Sequence, residues 1–173
     1  NFYQATYTML DLDTEGTVSF QVDYSDLADN PGVQGIELVD DADGSGVTFD
    51  KTAPSFTSGG GSITISSDND DPTVAIVGDI ITLELASNES IKTGANPSVT
   101  INDNIANVVR NNAQSFTATY TMSTTDGDSD IESLTFSVSG YQDIVGNPGE
   151  AAVSTTNGSA VRFDPTAPTL ANV

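Results

Sequence analysis

The sequence predicts an all-β protein, a sandwich of antiparallel strands repeated in tandem, and three observations carry that expectation. Apolar and polar residues alternate in short runs throughout, as in Ile81-Thr82-Leu83-Glu84-Leu85, which is the period of a strand with one buried face. No stretch longer than a turn carries the helical period. The sequence also repeats itself: Val47-Thr48-Phe49-Asp50-Lys51-Thr52-Ala53-Pro54 returns as Val161-Arg162-Phe163-Asp164-Pro165-Thr166-Ala167-Pro168, an offset of 114 from Asp50 to Asp164. Ala5-Thr6-Tyr7-Thr8-Met9 returns as Ala118-Thr119-Tyr120-Thr121-Met122 at an offset of 113. Asp26-Leu27-Ala28-Asp29-Asn30-Pro31-Gly32 is answered by Asp143-Ile144-Val145-Gly146-Asn147-Pro148-Gly149 at 117. Self-similarity at a near-constant spacing marks an array of like units. It divides the 173 residues into the closing half of one repeat (1–53), a complete repeat (54–168) and the start of the next (169–173).

In the first stretch, Tyr3, Ala5, Tyr7 and Met9 alternate with polar residues and predict a half-buried strand, and Val18, Phe20, Val22 and Tyr24 predict another. Asp11-Leu12-Asp13-Thr14-Glu15-Gly16 is the acidic turn between them. Asp26 to Gly32 is a loop punctuated by Pro31-Gly32, and Val47 and Phe49 face inward from a last short strand. Three strands with one apolar face cannot close a sandwich. Tyr3, Tyr7, Phe20 and Val22 therefore need an apolar partner, supplied by a longer continuous chain or by strands from a neighbouring molecule.

From Pro54 the pattern is complete. Ile63 and Ile65 make a first strand, Asp68-Asn69-Asp70-Asp71-Pro72 the densest acidic turn, and Ile81, Leu83 and Leu85 the second strand and heart of the core. A loop from Ser87 to Pro97 leads to Val99 and Ile101, and Asn102-Asp103-Asn104 turns that strand back into residues 105–110. Phe116, Ala118, Tyr120 and Met122 follow. Asp126-Gly127-Asp128-Ser129-Asp130 is the next turn, Leu134, Phe136 and Val138 the next strand, and Val161 and Phe163 close the unit. Leu83, Tyr120 and Phe136 are the expected centre of the core. Seven or eight antiparallel strands in Greek-key order make an immunoglobulin-like β-sandwich.

Val77-Gly78-Asp79-Ile80-Ile81-Thr82-Leu83, the Ala-Thr-Tyr-Thr-Met strand, the Asp-x-x-x-Asn-Pro-Gly loop and the Phe-Asp-x-Thr-Ala-Pro junction together resemble bacterial Ig-like repeats. Such repeats stack head to tail in very large secreted adhesins and surface filaments. The resemblance spans the whole chain and implies an extracellular, cell-surface, non-enzymatic spacer, often stiffened by calcium, whose partners are neighbouring repeats.

Charge narrows the chemistry. Twenty-five acids against Lys51, Lys92, Arg110 and Arg162 give a net charge of −21, which repels nucleic acid and anionic membranes. There is no apolar run near the length of a membrane span. With no His and no Cys, the common nucleophilic triads and thiolate metal sites are excluded, and no enzyme is expected. Paired carboxylates in polar turns lack the apolar cleft that raises a glycosidase acid's pKa.

Hard oxygen ligands on alternate residues suit Ca²⁺ instead. Asp126, Asp128 and Asp130 have that spacing, as do Asp11, Asp13 and Glu15 at the same point of the earlier copy. Strand parity puts Asp68, Asp70 and Asp71 at the same end as Asp126 to Asp130, with the chain leaving through Asp164, the counterpart of Asp50. These acids are the expected calcium ligands at the junction between repeats. A carbohydrate- or protein-binding module is the alternative, with Tyr141 as a sugar-stacking candidate unless it belongs to the core edge. Asn88-Glu89-Ser90 and Asn157-Gly158-Ser159 fit the N-glycosylation pattern.

Overall fold

The computed structural model describes residues 4–32, 35–37, 46–127 and 132–170. The chain forms two compact units, Asn1–Thr52 and Ala53–Val173. Both are all-β, with no helix among the described residues.

The smaller unit holds β1 (Gly16–Thr17), β2 (Phe20–Val22), β3 (Gly35–Glu37) and β4 (Thr48–Phe49). β1 pairs with β4 and β2 with β3, both antiparallel. Residues 4–10 form no strand, contrary to the alternation of Ala5, Tyr7 and Met9; Tyr3 lies outside the described residues. A strand needs a ladder partner, and among the described residues none runs beside this segment. Tyr7, Phe20, Val22, Tyr24 and Val47 are exposed rather than half-buried. Two isolated two-stranded ladders have no second layer on which to bury a face.

The larger unit has a full core. Its strands are β5 (Ser62–Ser67), β6 (Val74–Ala75), β7 (Ile80–Ala86), β8 (Ser98–Ile101), β9 (Asn104–Ile105), β10 (Asn107–Arg110), β11 (Ser115–Thr121), β12 (Glu132–Ser133), β13 (Phe136–Ser139) and β14 (Arg162–Phe163). One sheet has the order β10-β11-β7-β5; the others are β13-β8-β9 and β12-β14-β6. Every pairing is antiparallel except β14 with β6. The arrangement is sandwich-like and not a closed barrel.

Among the described residues ten short strands replace the seven or eight expected, because the chain changes sheets within two of them and β6 is an addition that the alternation did not mark. The expected strand 105–110 splits at buried Ala106, β9 pairing with β8 and β10 with β11. The stretch holding Leu134 and Phe136 likewise divides into β12, paired with β14, and β13, paired with β8. The Asn102-Asp103 turn that starts the first crossing takes positive φ at both residues, 48° and 63°, a conformation Asn and Asp tolerate better than most.

The sequence period becomes burial directly. Ile81, Leu83 and Leu85 on β7 are buried, while Ile80, Thr82, Glu84 and Ala86 face the other side. Ile63 and Ile65 on β5 and Phe116 and Ala118 on β11 flank that stripe in register. Val99 and Ile101 on β8, Phe136 and Val138 on β13, and Val161 and Phe163 complete the core. Phe56 meets Phe116 edge-on at 6.1 Å and Tyr141 at 4.7 Å. Each large side chain taken from water here contributes roughly 1.5–3 kcal/mol. Arg110 ties the long loop after β7 to this core. Its guanidinium donates to the main-chain oxygen of Ile91 at 2.6 Å and stacks 5.3 Å over the Phe116 ring.

Leu83 and Phe136 are buried as expected, but Tyr120 is only partly so. Its hydroxyl reaches past the end of the sheet to Asp126, which holds the ring at the rim. Leu83→Ala should destabilise the larger unit by ~2–5 kcal/mol, since rigid neighbours on both flanking strands leave the cavity open. Thr82→Ala should cost far less. Chemical denaturation of both variants checks the register, which equal losses would contradict.

Candidate metal-binding loops

Two acidic turns are built alike. Asp13 and Asp126 stand 113 positions apart, the offset of the Ala-Thr-Tyr-Thr-Met strands. The Asp13 carboxylate accepts the Leu10 N–H at 2.7 Å and the Tyr7 hydroxyl at 3.1 Å. The Asp126 carboxylate accepts the Ser123 N–H at 2.6 Å and the Tyr120 hydroxyl at 3.0 Å. Asn104 Nδ2 adds a donor to Asp126 at 3.2 Å, and the Asn102 side-chain amide donates to the Asp126 main-chain oxygen. Asp126 is thereby buried. In both turns the aspartate caps backbone that would otherwise lack a partner.

The neighbours of Asp13 do other work. Glu15 Oε1 accepts the Thr52 hydroxyl and the Lys51 N–H, each at 2.8 Å, and these bonds, the Thr52 one foremost, hold its pKa below the ordinary value. Lys51 Nζ donates to the main-chain oxygens of Asp11 at 2.6 Å and Asp13 at 2.9 Å. The side chain of Asp11 is exposed. Asp128 and Asp130 lie outside the described residues.

The second recurrent loop has the form Tyr-x-Asp-x-x-x-Asn-Pro-Gly. Asp143 Oδ1 accepts the N–H groups of Gly146 and Asn147 at 2.6 and 2.8 Å, and Oδ2 accepts Asn147 Nδ2 at 2.7 Å. Asp26 likewise accepts Asn30 N and Asn30 Nδ2, at 3.0 and 2.8 Å, its further donor being Ala28 N at 2.8 Å, one position earlier in the loop than Gly146. The Asn30 side chain is the largest cause of Asp26's lowered pKa. The closing glycine is required sterically. A Cβ at Gly32 would stand 2.1 Å from the Tyr24 ring, and one at Gly149 2.0 Å from the Tyr141 ring. Tyr141 itself is buried against Phe56 and donates to the Glu150 main-chain oxygen at 2.7 Å, so it belongs to the core and cannot stack on a sugar.

This loop brings in an acid that the alternate-residue pattern passes over. Ile91 bridges Asp143, and the Lys92 N–H donates to Gln142 at 2.9 Å, which draws the end of the Ser87–Pro97 loop beside the Asp143 loop. Carboxylate oxygens of Glu89 and Asp143 then lie within 4.8 Å of one another. Two carboxylates that close repel unless a cation or proton relieves them. In the sequence Glu89 is merely the middle of a glycosylation tripeptide. The Asn88 side-chain oxygen of that tripeptide accepts the Ser55 N–H at 2.7 Å.

The remaining acids gather at the opposite end of the larger unit. Ser67 pairs with Ile81 and Thr121 with Ile80, so the turns after β5 and β11 leave the sheet at one end. Asp68 Oδ1 accepts the Ile80 N–H at 2.7 Å, and Asp79 Oδ2 accepts Ile76 N and Asn69 Nδ2. Asp71 accepts the Thr73 hydroxyl at 2.7 Å, the main reason its pKa is lowered. Asp164 accepts the N–H and hydroxyl of Thr166, each at 3.0 Å, and Asp50 in the smaller unit accepts the Thr52 N–H at the same distance. Asp70 is exposed. Among the described residues, no three of Asp68, Asp70, Asp71, Asp126 and Asp164 bring carboxylate oxygens within 4.8 Å of one another.

Comparison with protein-family models, curated proteins and solved structures gives no match for this chain.

The Tyr120–Asp126 contact carries a pH signature. Burial, then the Asp126 carboxylate, push the Tyr120 phenol above its ordinary value near 10, so the folded state favours the protonated form. That contribution is fully present below about pH 10 and is lost as pH rises through the higher folded-state value. Tyr120→Phe should therefore lose stability near neutrality and decline less steeply with alkali. Denaturant midpoints of both proteins at about pH 8 and about pH 11 measure the difference, and identical slopes would contradict the contact.

Proposed function

We propose that this chain is a stretch of immunoglobulin-like Greek-key repeats in tandem. It extends and stiffens a secreted bacterial surface adhesin or filament, with Ca²⁺ at the inter-repeat junctions. The observation that carries this reading is the recurrence of two loop modules, the Tyr–Asp turn and the Tyr-x-Asp-x-x-x-Asn-Pro-Gly loop, in which the aspartate accepts the same backbone N–H of the turn and the same asparagine N–H and Nδ2 in both copies. Repeated local architecture is what a stacked spacer requires, because every unit must present the same ends to its neighbours.

Calcium follows from charge and placement. The larger unit carries Glu89 and Asp143 at one end and Asp68, Asp70, Asp71 and Asp164 at the other. Head-to-tail stacking brings acids of successive repeats together, a repulsion that a hard divalent cation converts into a brace. Calcium should bind with Kd in the ~10⁻⁴ to 10⁻³ M range of extracellular modules. Binding to the folded state alone should stabilise it by about 2.7 kcal/mol at a hundredfold excess over Kd. Thermal melts with calcium and with chelator at constant ionic strength test this. A melting temperature indifferent to chelation would remove the metal from the proposal.

A further inference from the structure

The apolar face of the smaller unit can be compared, position by position, with the same face in the larger one. Val22 is 50% exposed and its counterpart Val138 is 0%. Phe20 is 58% exposed against 8% for Phe136, Tyr24 59% against 3% for Tyr141, and Val47 60% against 0% for Val161. Around Tyr7, Met9, Val18 and Phe20 the surface is hollowed into a groove of about 510 Å³.

The ladders explain the difference. β1 and β4 pair Gly16 with Phe49 and Thr17 with Thr48; β12 and β14 pair Glu132 with Phe163 and Ser133 with Arg162, which is the same register in repeat-equivalent positions. β14 has a second neighbour, β6. β13, the counterpart of β2, lies against β8, and β11, whose Ala118–Thr121 answer Ala5–Thr8, lies between β7 and β10. All these extra neighbours fall within residues 54–113, and no described strand takes their place in the smaller unit.

We propose that this face is the docking surface for a front-half segment with the apolar pattern of residues 54–113, supplied as further polypeptide ahead of the smaller unit. The inference rests on the repeat reading and names the partner that reading requires. The larger unit itself shows the kind of cover that fits, strands of two sheets carrying the Ile63, Leu83 and Val99 stripes. A second copy of the chain is the poorer source. Its own Ile63, Ile81, Leu83 and Val99 are fully buried, so donation would dismantle a finished core. The open edges of β2 and β4 supply the backbone hydrogen bonds that an added strand needs.

At the 113 offset Asn1 corresponds to Gln114, so the test appends a copy of residues 54–113 directly ahead of Asn1 of the full chain. Amide exchange over residues 16–22 should slow by about a hundredfold relative to the unextended chain. The same extension carrying Leu83→Asp should give no slowing, and β5 and β7 of the larger unit serve in every sample as the check on folding. Phe20→Ser should leave the unextended chain's melt unchanged and lower that of the extended chain; indifference in both would overturn the proposal. Protection of residues 16–22 in a dimer of the unextended chain would overturn the assigned source. The calcium melts are run on the unextended chain and so do not depend on the extension. Stabilisation by calcium without protection by the extension therefore overturns this inference alone, and the converse overturns the metal reading alone.

Discussion

The stripe of Ile81, Leu83 and Leu85 on β7 is the contact on which the rest of the larger unit depends. β7 is paired on both sides, with β5 and β11, so its apolar face cannot rotate or slip without moving two other faces with it. Its ends then fix the loops. Asp79 and Ile80 at the start hold the turns after β5 and β11, while the loop beyond Ala86 carries Glu89 toward Asp143. The smaller unit has no described counterpart of this stripe. Its apolar residues consequently stand in water although their sequence pattern is the same. Burial is a property of the pair of layers and cannot be read from one layer alone.

Carboxylates are the second constraint, and they serve chiefly as hydrogen-bond acceptors for turns. Asp13, Asp26, Asp50, Asp68, Asp71, Asp79, Asp126, Asp143 and Asp164 each accept a nearby backbone N–H. The abundance of Asp over Glu has a physical cause here, since the shorter side chain reaches its own turn. A carboxylate so engaged keeps lone pairs for a cation, but its position is set by the turn and not by the ion. Alternate-residue spacing is therefore a weak guide to convergence: Asp11, Asp13 and Glu15 have the spacing, yet the Asp13 and Glu15 carboxylates accept from different partners and the Asp11 side chain is exposed.

Much of the fold was legible because period-two alternation maps onto burial wherever a second layer exists. The strands through Ile63, Leu83, Val99, Phe116, Phe136 and Phe163 follow from it. What it could not give were features that leave no periodic trace. β6 is two residues long and pairs in parallel with a strand far away in sequence. The crossing at Ala106 looks, in sequence, like one continuous strand. Tyr120 reads as core because its neighbours are core, yet its hydroxyl answers to Asp126. Of the candidate site, the Asp143 loop was visible as a repeated string. Its approach to Glu89 was not, because that depends on the bridge from Ile91 to Asp143 across some fifty positions.

Lys51 illustrates how two copies of one turn can meet the same electrostatic demand differently. Its ammonium donates to the main-chain oxygens of Asp11 and Asp13 and so places a positive charge within an acidic turn. The matching residue in the other copy is Pro165, which carries neither charge nor N–H. There the Asp126 turn is held by neutral donors, Tyr120, Ser123 and Asn104. With only four cationic side chains against twenty-five acids, a lysine spent on one turn is a large share of the positive charge the chain can supply itself. Turns that receive none must be relieved by neutral hydrogen bonds, by solvent screening or by ions from the medium. Two turns with the same sequence pattern thus balance their charge by different means, and position 51 against position 165 is where this chain sets the difference.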